Sequence, residues 1–246
     1  MKELFLLLLF CFYTCIHALT VEEIIKKVDH NMAPDSVIYH GEMTIHDGNS
    51  VFQKSMKIYG RGNDTAFIEF LSPPRDAGTR YLRLSDNLWM FLPRASRTVK
   101  ISGHMLRQNM MGSDFSYEDQ TERRKFWEQY DSAIATEEVF DTREVYVLEM
   151  IAKPGREITY TRRKIWVDKE NFVVYKSEMY AKSGKLLKLM SVLEYKPCGD
   201  RWFATKMRME DKIKGNSYTE IQITDIELDV AIPDQVFTMQ NLERRR

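Results

Sequence analysis

Apolar residues recur at every second position over most of this chain, and this period constrains its fold more than any other feature. In residues 203–209, for example, phenylalanine, threonine and two methionines alternate with alanine, lysine and arginine. Such alternation is typical of a half-buried β-strand. Turn sequences such as Asp47-Gly48-Asn49 and Lys214-Gly215-Asn216 separate the alternating runs. The sequence therefore predicts antiparallel strands joined by hairpins, and not a chain of βαβ units.

The period predicts about eleven strands. They lie at residues 37–46, 52–58, 65–71, 80–84, 88–92, 144–152, 159–168, 172–181, 186–195, 203–210 and 218–226. Two helices complete the prediction. Residues 20–23 form a capping box before apolar residues at helical spacing, and residues 121–132 carry three aromatic residues among charges. A sheet of this size curls and must cover or fill its concave face, so we expect the helices to cap that face.

Length and charge narrow the class of protein. A chain of 246 residues makes one domain or at most two small ones, and 43% hydrophobic residues are ample for a core. Lysine plus arginine equals aspartate plus glutamate at 36 each, so the total charge argues against a nucleic-acid binder that works by bulk charge. This balance does not exclude a local basic strip.

Residues 1–18 have the features of an export signal. Residues 4–16 are apolar but too short to span a bilayer of ~30 Å, and Ala18 offers a small residue for cleavage. The alternatives are an uncleaved membrane anchor, which this length disfavours, and lipid attachment at Cys15. We therefore expect a cleaved signal peptide at residues 1–18 and a mature domain at residues 19–246.

Residues 104–111 break the alternation. They contain Met105, Met110 and Met111 and lead into a glycine turn. Methionine is flexible and polarizable, so one interpretation is a movable apolar lid. The other is that these methionines fill irregular core space beneath a long connection.

An eight-residue sequence follows directly. It consists of Gly112, Ser113, Asp114, Phe115, Ser116, Tyr117, Glu118 and Asp119. It resembles the G-S-D-F-S-Y-E-D signature of the outer-membrane lipoprotein-sorting proteins, the LolA-like carriers of the periplasm. Four further segments resemble the same family, so the resemblance covers nearly all of the mature chain. They are residues 70–80, 89–97, 165–168 and 232–238.

The resemblance implies a mainly β (α+β) fold of the LolA/LolB/LppX type. This fold is an open antiparallel half-barrel, here of about eleven strands, with helices that cover an apolar cavity on the concave face. The period does not say which strand face looks inward. The residues that we expect to line the cavity and its lid are Trp89, Phe91, Met105, Met110, Met111, Phe115, Met207 and Met209.

The same resemblance implies a function without catalysis or a cofactor. A LolA-like protein is a periplasmic carrier that shelters acyl chains of lipoproteins or lipids during transfer to the outer membrane. Each exposed CH₂ group costs ~0.8 kcal/mol, so an acylated anchor needs an escort through water. The implied partners are those acyl chains, an inner-membrane transporter and an outer-membrane acceptor, and not a nucleic acid.

A second function class fits the same fold. In this alternative the protein is a non-enzymatic envelope interaction module, such as an accessory of an RND-type transporter. Its interior would then be filled by large side chains, whereas a carrier needs an empty apolar cavity.

Few residues point to metal binding or catalysis. His40 and His46 share a strand face but stand roughly 20 Å apart on an extended strand, too far to bind one zinc ion. Asp114, Glu118 and Asp119 are suited to acid–base work, but no histidine, thiol or activated serine lies at a diagnostic spacing. We therefore expect no metal site and no catalytic residue, and expect these acids to cap the following helix.

Basic residues precede the signature. They are Arg75, Arg80, Arg94, Arg97, Lys100 and Arg107. One interpretation pairs Arg94 or Arg97 with Asp114 or Glu118 as a weak latch, since exposed pairs contribute about 0–1 kcal/mol. The others are unpaired surface charges or contact with anionic lipid headgroups.

Overall fold

One antiparallel sheet makes up most of the protein. The structure is a computed structural model that describes residues 19–121, 126–155 and 158–244. The strands of these residues are β1 (Ser36–Asp47), β2 (Ser50–Arg61), β3 (Thr65–Ser72), β4 (Arg80–Leu84), β5 (Asn87–Leu92), β6 (Arg97–Ile101), β7 (Tyr130–Phe140), β8 (Arg143–Ala152), β9 (Arg162–Asp168), β10 (Val174–Tyr180), β11 (Leu186–Cys198), β12 (Arg201–Asp211) and β13 (Ser217–Leu228).

The sheet is open. Its thirteen described strands follow the order β6-β5-β4-β3-β2-β1-β13-β12-β11-β10-β9-β8-β7, so β6 and β7 form the two edges and no barrel closes. Short helices complete the described chain. They are α1 (Val21–Met32), α2 (Tyr117–Thr121), α3 (Phe126–Gln129) and α4 (Met239–Glu243), with 3₁₀ turns at Pro93–Ala95, Gly103–Arg107, Met110–Gly112 and Asp234–Phe237.

The central hairpin shows how the sequence forms this sheet. Strands β1 and β2 pair without a break from Ser36–Arg61 to Asp47–Ser50. Gly48 in the turn has a φ of 59°, a conformation that glycine adopts at no steric cost. The long β1 also pairs with β13, which joins the N-terminal and C-terminal halves of the sheet.

The predicted mostly β fold with an open antiparallel sheet is confirmed, but two strands were not predicted. Strand β6 has only five residues, which include Arg97 and Lys100. Strand β7 begins at Tyr130, so the prediction of a helix through residue 132 is wrong. The backbone of Tyr130 pairs with Ala152 of β8, and the helical part of this region is limited to the short α2 and α3 among the described residues.

Strand alternation divides the core between two faces. The inner face carries one apolar cluster that contains Met43, Phe70 and Met209, and a second in which Ile24, Ile25 and Val28 of α1 pack against strands β8 to β10. The expectation that the first helix caps this face is therefore confirmed. None of the described helices is both long and apolar enough to cross a bilayer.

Part of the outer face is covered by the end of the chain. Residues 230–244, which we call the C-terminal strap, place Ile232, Phe237 and Leu242 against Phe67, Leu82 and Phe91 of β3 to β5. Leu242 has no exposed surface. The predicted signal peptide, residues 1–18 with Cys15, lies outside the described residues.

The capping box of α1 is present and gives a first prediction. The Glu23 N–H donates to the Thr20 hydroxyl at 3.3 Å, and the Thr20 N–H donates to the Glu23 carboxylate at 2.8 Å. We expect Thr20→Ala to lower the free energy of unfolding by about 1 kcal/mol in urea titrations. Lys27→Ala, on the exposed side of the same helix, should change it by less than about 0.5 kcal/mol. An equal loss in both variants would contradict a specific role of the cap.

Candidate ligand-binding cavity

An apolar cavity of about 250 Å³ lies on the inner face of the sheet. Its wall includes Ile68 of β3 and Met179 of β10, which are separated by five intervening strands in the sheet order. Strands so far apart contact one cavity only because the sheet curls, so the inner face is concave.

Methionine is the commonest side chain of the strand wall. The strands contribute Met56, Met179, Met190, Met207 and Met209. Met190 and Met209 stand directly opposite each other on β11 and β12. Aliphatic and aromatic residues such as Ile221, Ile223 and Phe203 complete the wall. Because methionine adapts its shape, such a wall accommodates flexible apolar ligands better than a rigid one.

Residues from outside the sheet cover the cavity. Phe115 of the signature, Phe126 of α3 and Met32 of α1 contribute to its lining. Phe126 also contacts Tyr130 edge-to-face, and the Phe126 N–H donates to the Asp29 carboxylate of α1 at 3.1 Å. The cover therefore depends on three separate parts of the chain.

The few polar groups of the cavity already bond to protein groups. The side-chain amide of Asn31 donates to the Asn171 carbonyl at 2.8 Å and accepts from the backbone N–H of Trp202 at 2.9 Å. The Arg163 Nε–H donates to the Tyr130 hydroxyl at 3.0 Å, and the guanidinium lies 4.9 Å from the Tyr160 ring centre. These polar groups already have hydrogen-bond partners in the protein, and the rest of the lining is mostly apolar. The cavity therefore favours an apolar ligand.

The signature fastens the cover to the sheet. Gly112 has a φ of 81°, and the Ser113 hydroxyl donates to the Met110 carbonyl at 2.7 Å. Asp114 has no exposed surface and accepts hydrogen bonds from the hydroxyls of Ser217 and Thr219 on β13. The Thr219 hydroxyl also accepts from the Asp114 N–H at 2.9 Å. Phe115 is held over the cavity by this arrangement.

Asp119 makes the second attachment of the signature to the sheet. Its carboxylate accepts from the Ser116 N–H at 2.7 Å, so it caps a helix as expected, but this helix is α2 and not one that begins at residue 121. The same carboxylate accepts from the Lys188 ammonium at 2.7 Å and from the Tyr160 hydroxyl at 2.6 Å. Glu118 accepts from the Thr159 hydroxyl. These acids bond to β-strands and loops across the inner face, and not only to their own helix.

The methionine segment, residues 104–111, packs beside the cavity. Met110 is buried in the inner-face cluster, and Met105 and Met111 pack against that cluster. Tyr81 lies under this segment with Tyr117, their ring centres 5.9 Å apart. Burial raises the pKa of Tyr81 above the ordinary tyrosine value, and Tyr117 adds to this effect. The segment is therefore integrated into the core in this structure.

The structure places the expected lining residues in three locations. Phe115, Met207 and Met209 line the cavity. Met105, Met110 and Met111 lie in the adjoining cluster. Trp89 and Phe91 require a correction, because they lie on the outer face with Phe237 and Leu242 of the strap. On β5 it is Leu88 and Met90 that face inward.

Several lining residues were not predicted from the sequence. Met179, Met190 and Val192 on β10 and β11 line the cavity together with Phe203 and Ile221. Their strands have the same alternation as β12, and Met190 pairs with Met209, so the missing information was the strand order.

The proposed arginine latch is wrong for Asp114, whose carboxylate bonds to Ser217 and Thr219. Arg80 is not a surface charge either. It is buried on the outer face, where its Nε–H donates to Glu69 at 3.0 Å. Within the described residues, no three His, Cys, Asp or Glu side chains lie close enough together to hold a metal ion.

Comparisons with known proteins agree with this architecture. Residues 62–244 match the model of a family described as "uncharacterized protein". No curated protein is a significant match to the sequence.

Three solved structures are similar over nearly the whole chain. A DUF1329 family protein from Desulfovibrio piger is 28% identical with a TM-score of 0.83, over 89% of this chain and 96% of that one. A putative outer membrane lipoprotein-sorting protein domain from Vibrio parahaemolyticus is 26% identical with a TM-score of 0.79, over 90% and 97%. A LolA superfamily protein from Nitrosomonas europaea is 25% identical with a TM-score of 0.76, over 91% and 100%.

The family match covers most of the chain, and the structural matches cover nearly all of it. The chain therefore belongs to the family whose model it matches, and the resemblance to LolA-like lipoprotein-sorting proteins inferred from its sequence is confirmed.

Proposed function

We propose that this protein is a non-enzymatic carrier that shelters acyl chains of lipoproteins or lipids in the periplasm during transfer to the outer membrane. The observation that carries the proposal is the apolar cavity of about 250 Å³ on the concave face. The similarity to a lipoprotein-sorting domain and to a LolA superfamily protein supports the same conclusion.

The volume of the cavity limits the cargo. An engineered cavity of roughly 150 Å³ holds a benzene molecule, so about 250 Å³ holds on the order of ten carbon atoms. This is part of one acyl chain. A larger anchor requires the cover formed by Phe115, Phe126 and Met32 to move outward. The methionine segment beside it is suited to such repacking.

The alternative of an envelope interaction module predicts a filled interior. An apolar cavity of this size in the described residues favours the carrier instead. An inner-membrane donor and an outer-membrane acceptor remain part of the proposal, since a carrier must be loaded and unloaded.

The first experiment asks whether the protein carries a lipid. We expect mass spectrometry of the mature protein, purified without detergent from an exporting host, to show a copurified acylated molecule. After delipidation, a fluorescent fatty-acid analogue should bind at one saturable site. Absence of both copurified lipid and analogue binding would contradict the carrier function.

A pair of variants locates the binding site. Val192 lines the cavity, whereas its neighbour Leu193 is 44% exposed. We expect Val192→Glu to weaken binding of the analogue at least about tenfold, because the charge must be desolvated beside the acyl chain. Leu193→Glu adds the same charge one residue away and should leave the dissociation constant within about twofold. Equal losses in both variants would place the analogue elsewhere.

A further inference from the structure

Charge is separated between the two ends of the sheet. The hairpin connections after β1, β3, β5, β8, β10 and β12 lie at one end, and those after β2, β4, β7, β9 and β11 lie at the other, because every neighbouring pair of strands is antiparallel. The described residues of the first set contain seven lysines and arginines and a single aspartate. The second set contains five acidic residues and a single lysine. We call the two ends the basic end and the acidic end.

Most of the basic side chains are accessible. Those of the basic end are Arg75, Arg94, Lys153, Lys182, Lys185, Lys212 and Lys214, and all except Lys153 are exposed. Lys212 and Lys214 contact Glu210 and Asp47, and Arg75 lies 3.6 Å from Asp76. Exposed pairs of this kind are weak and exchange partners easily. The total charge of the chain hides this polarity, because basic and acidic residues are equal in number over the whole sequence.

Exposed apolar side chains gather at the same end. The described residues include eight large hydrophobic side chains with high exposure, and five of them lie at or within three residues of a basic-end connection. They are Val51, Phe52, Leu71, Ile151 and Ile213. Ile213, in the turn between Lys212 and Lys214, is 53% exposed. Of the eight exposed hydrophobic side chains in the described residues, Val139 alone has a comparable position at the acidic end.

We propose that the basic end docks the protein on an anionic bilayer surface. Lysine and arginine attract anionic headgroups, while apolar side chains among them enter the boundary between headgroups and acyl chains. A second copy of the chain would offer its acidic end to the lysines but would leave the five apolar side chains without an apolar counterpart. The combination of both features therefore favours a bilayer over self-association.

Vesicle binding tests this surface separately from the cavity. We expect the protein to cosediment with phosphatidylcholine vesicles that contain phosphatidylglycerol, to release them as salt is raised, and to bind pure phosphatidylcholine weakly. Binding to neutral vesicles that equals binding to anionic ones would overturn the proposal. The fatty-acid analogue provides an independent readout, so failure of the cavity and failure of the docking surface are distinguishable.

Charge reversal provides the matched comparison. Lysines near an anionic surface each change binding about fivefold, so Lys182→Glu with Lys185→Glu should lower the vesicle partition coefficient at least about tenfold. The control variant, Lys27→Glu with Lys196→Glu, makes the same change in net charge on exposed side chains away from the basic end. Lys27 lies beside Phe172 and Lys196 lies near Cys198, both at the acidic end. The partition coefficient of this control should stay within about twofold of that of the unmodified protein. Ile213→Ser should weaken binding at least about threefold and keep its salt dependence.

Two results would assign the surface differently. Equal losses in both charge-reversal variants would reduce the effect to net charge and overturn the proposal. No vesicle binding, together with low-salt self-association that Lys182→Glu with Lys185→Glu abolishes, would make a second copy the occupant. Binding of the fatty-acid analogue by the docking variant should remain normal, which shows that its cavity is intact.

Discussion

Asp114→Ala is expected to lower the free energy of unfolding by about 3 kcal/mol and to speed release of a bound acyl chain. The Asp114 carboxylate has no exposed surface and accepts hydrogen bonds from Ser217 and Thr219. Hydrogen bonds to a charged group contribute about 1.5–3 kcal/mol each, and their loss leaves buried hydroxyls with fewer partners. The neighbouring Phe115 covers the cavity, so loosening residue 114 also loosens the cover.

Two measurements check this expectation. Urea unfolding gives the change in stability, and stopped-flow displacement of the fatty-acid analogue gives the dissociation rate. Ser217→Ala removes a single donor and should lower the free energy of unfolding by about half as much as Asp114→Ala. Asp131→Ala removes an exposed aspartate of β7 and should change stability by less than about 0.5 kcal/mol. A loss below about 1 kcal/mol for Asp114→Ala would mean that the signature does not fasten the cover.

The hairpins could be predicted because local sequence determines them. Alternation with period two and a glycine turn specify a pair such as β1 and β2 without knowledge of the rest of the chain. Strand β7 could not be predicted in this way. Most of its residues are exposed, so its sequence lacks the apolar alternation, and the aromatic residues that precede and begin it suggest a helix. Its pairing with β8 decides the conformation.

The lining residues show a different limit of sequence reasoning. Alternation predicts that Leu88 and Trp89 lie on opposite faces of β5, but it does not predict which face is concave. The direction of curling and the position of the C-terminal strap decide this, and they place Trp89 and Phe91 outside. On β12 the same curling places Met207 and Met209 on the concave face, where they line the cavity.

The signature shows the same limit for polar residues. The expectation that the acids cap a helix holds for Asp119, whose contact with Ser116 spans only three residues. Asp114 instead bonds to Thr219, which is 105 residues away. A single sequence contains no sign of such a pairing, since it depends on where β13 lies in the sheet.

The C-terminal strap leads to the prediction with the largest expected effect on stability, a loss of about 3–5 kcal/mol for Arg80→Ala. Arg80 and Glu69 are direct partners on β4 and β3, and both side chains are largely buried. Removal of one member of a buried pair leaves the other charge in an environment of low polarity, which costs about 3–5 kcal/mol. The Arg80 guanidinium also donates to the carbonyls of Leu242 and Arg244, at 3.3 and 2.6 Å. The strap should therefore become accessible to proteases.

A double variant separates the charge from the contact. Arg80→Met with Glu69→Leu replaces the pair by apolar side chains of similar size, and such replacements of buried pairs are often neutral or stabilising. We expect it to recover most of the stability lost in Arg80→Ala, as measured by urea unfolding. Because methionine cannot donate to the two strap carbonyls, cleavage of the strap should remain faster than in the unmodified protein. If the double variant is no more stable than Arg80→Ala, the strap carbonyls and not the charge of Glu69 account for the loss.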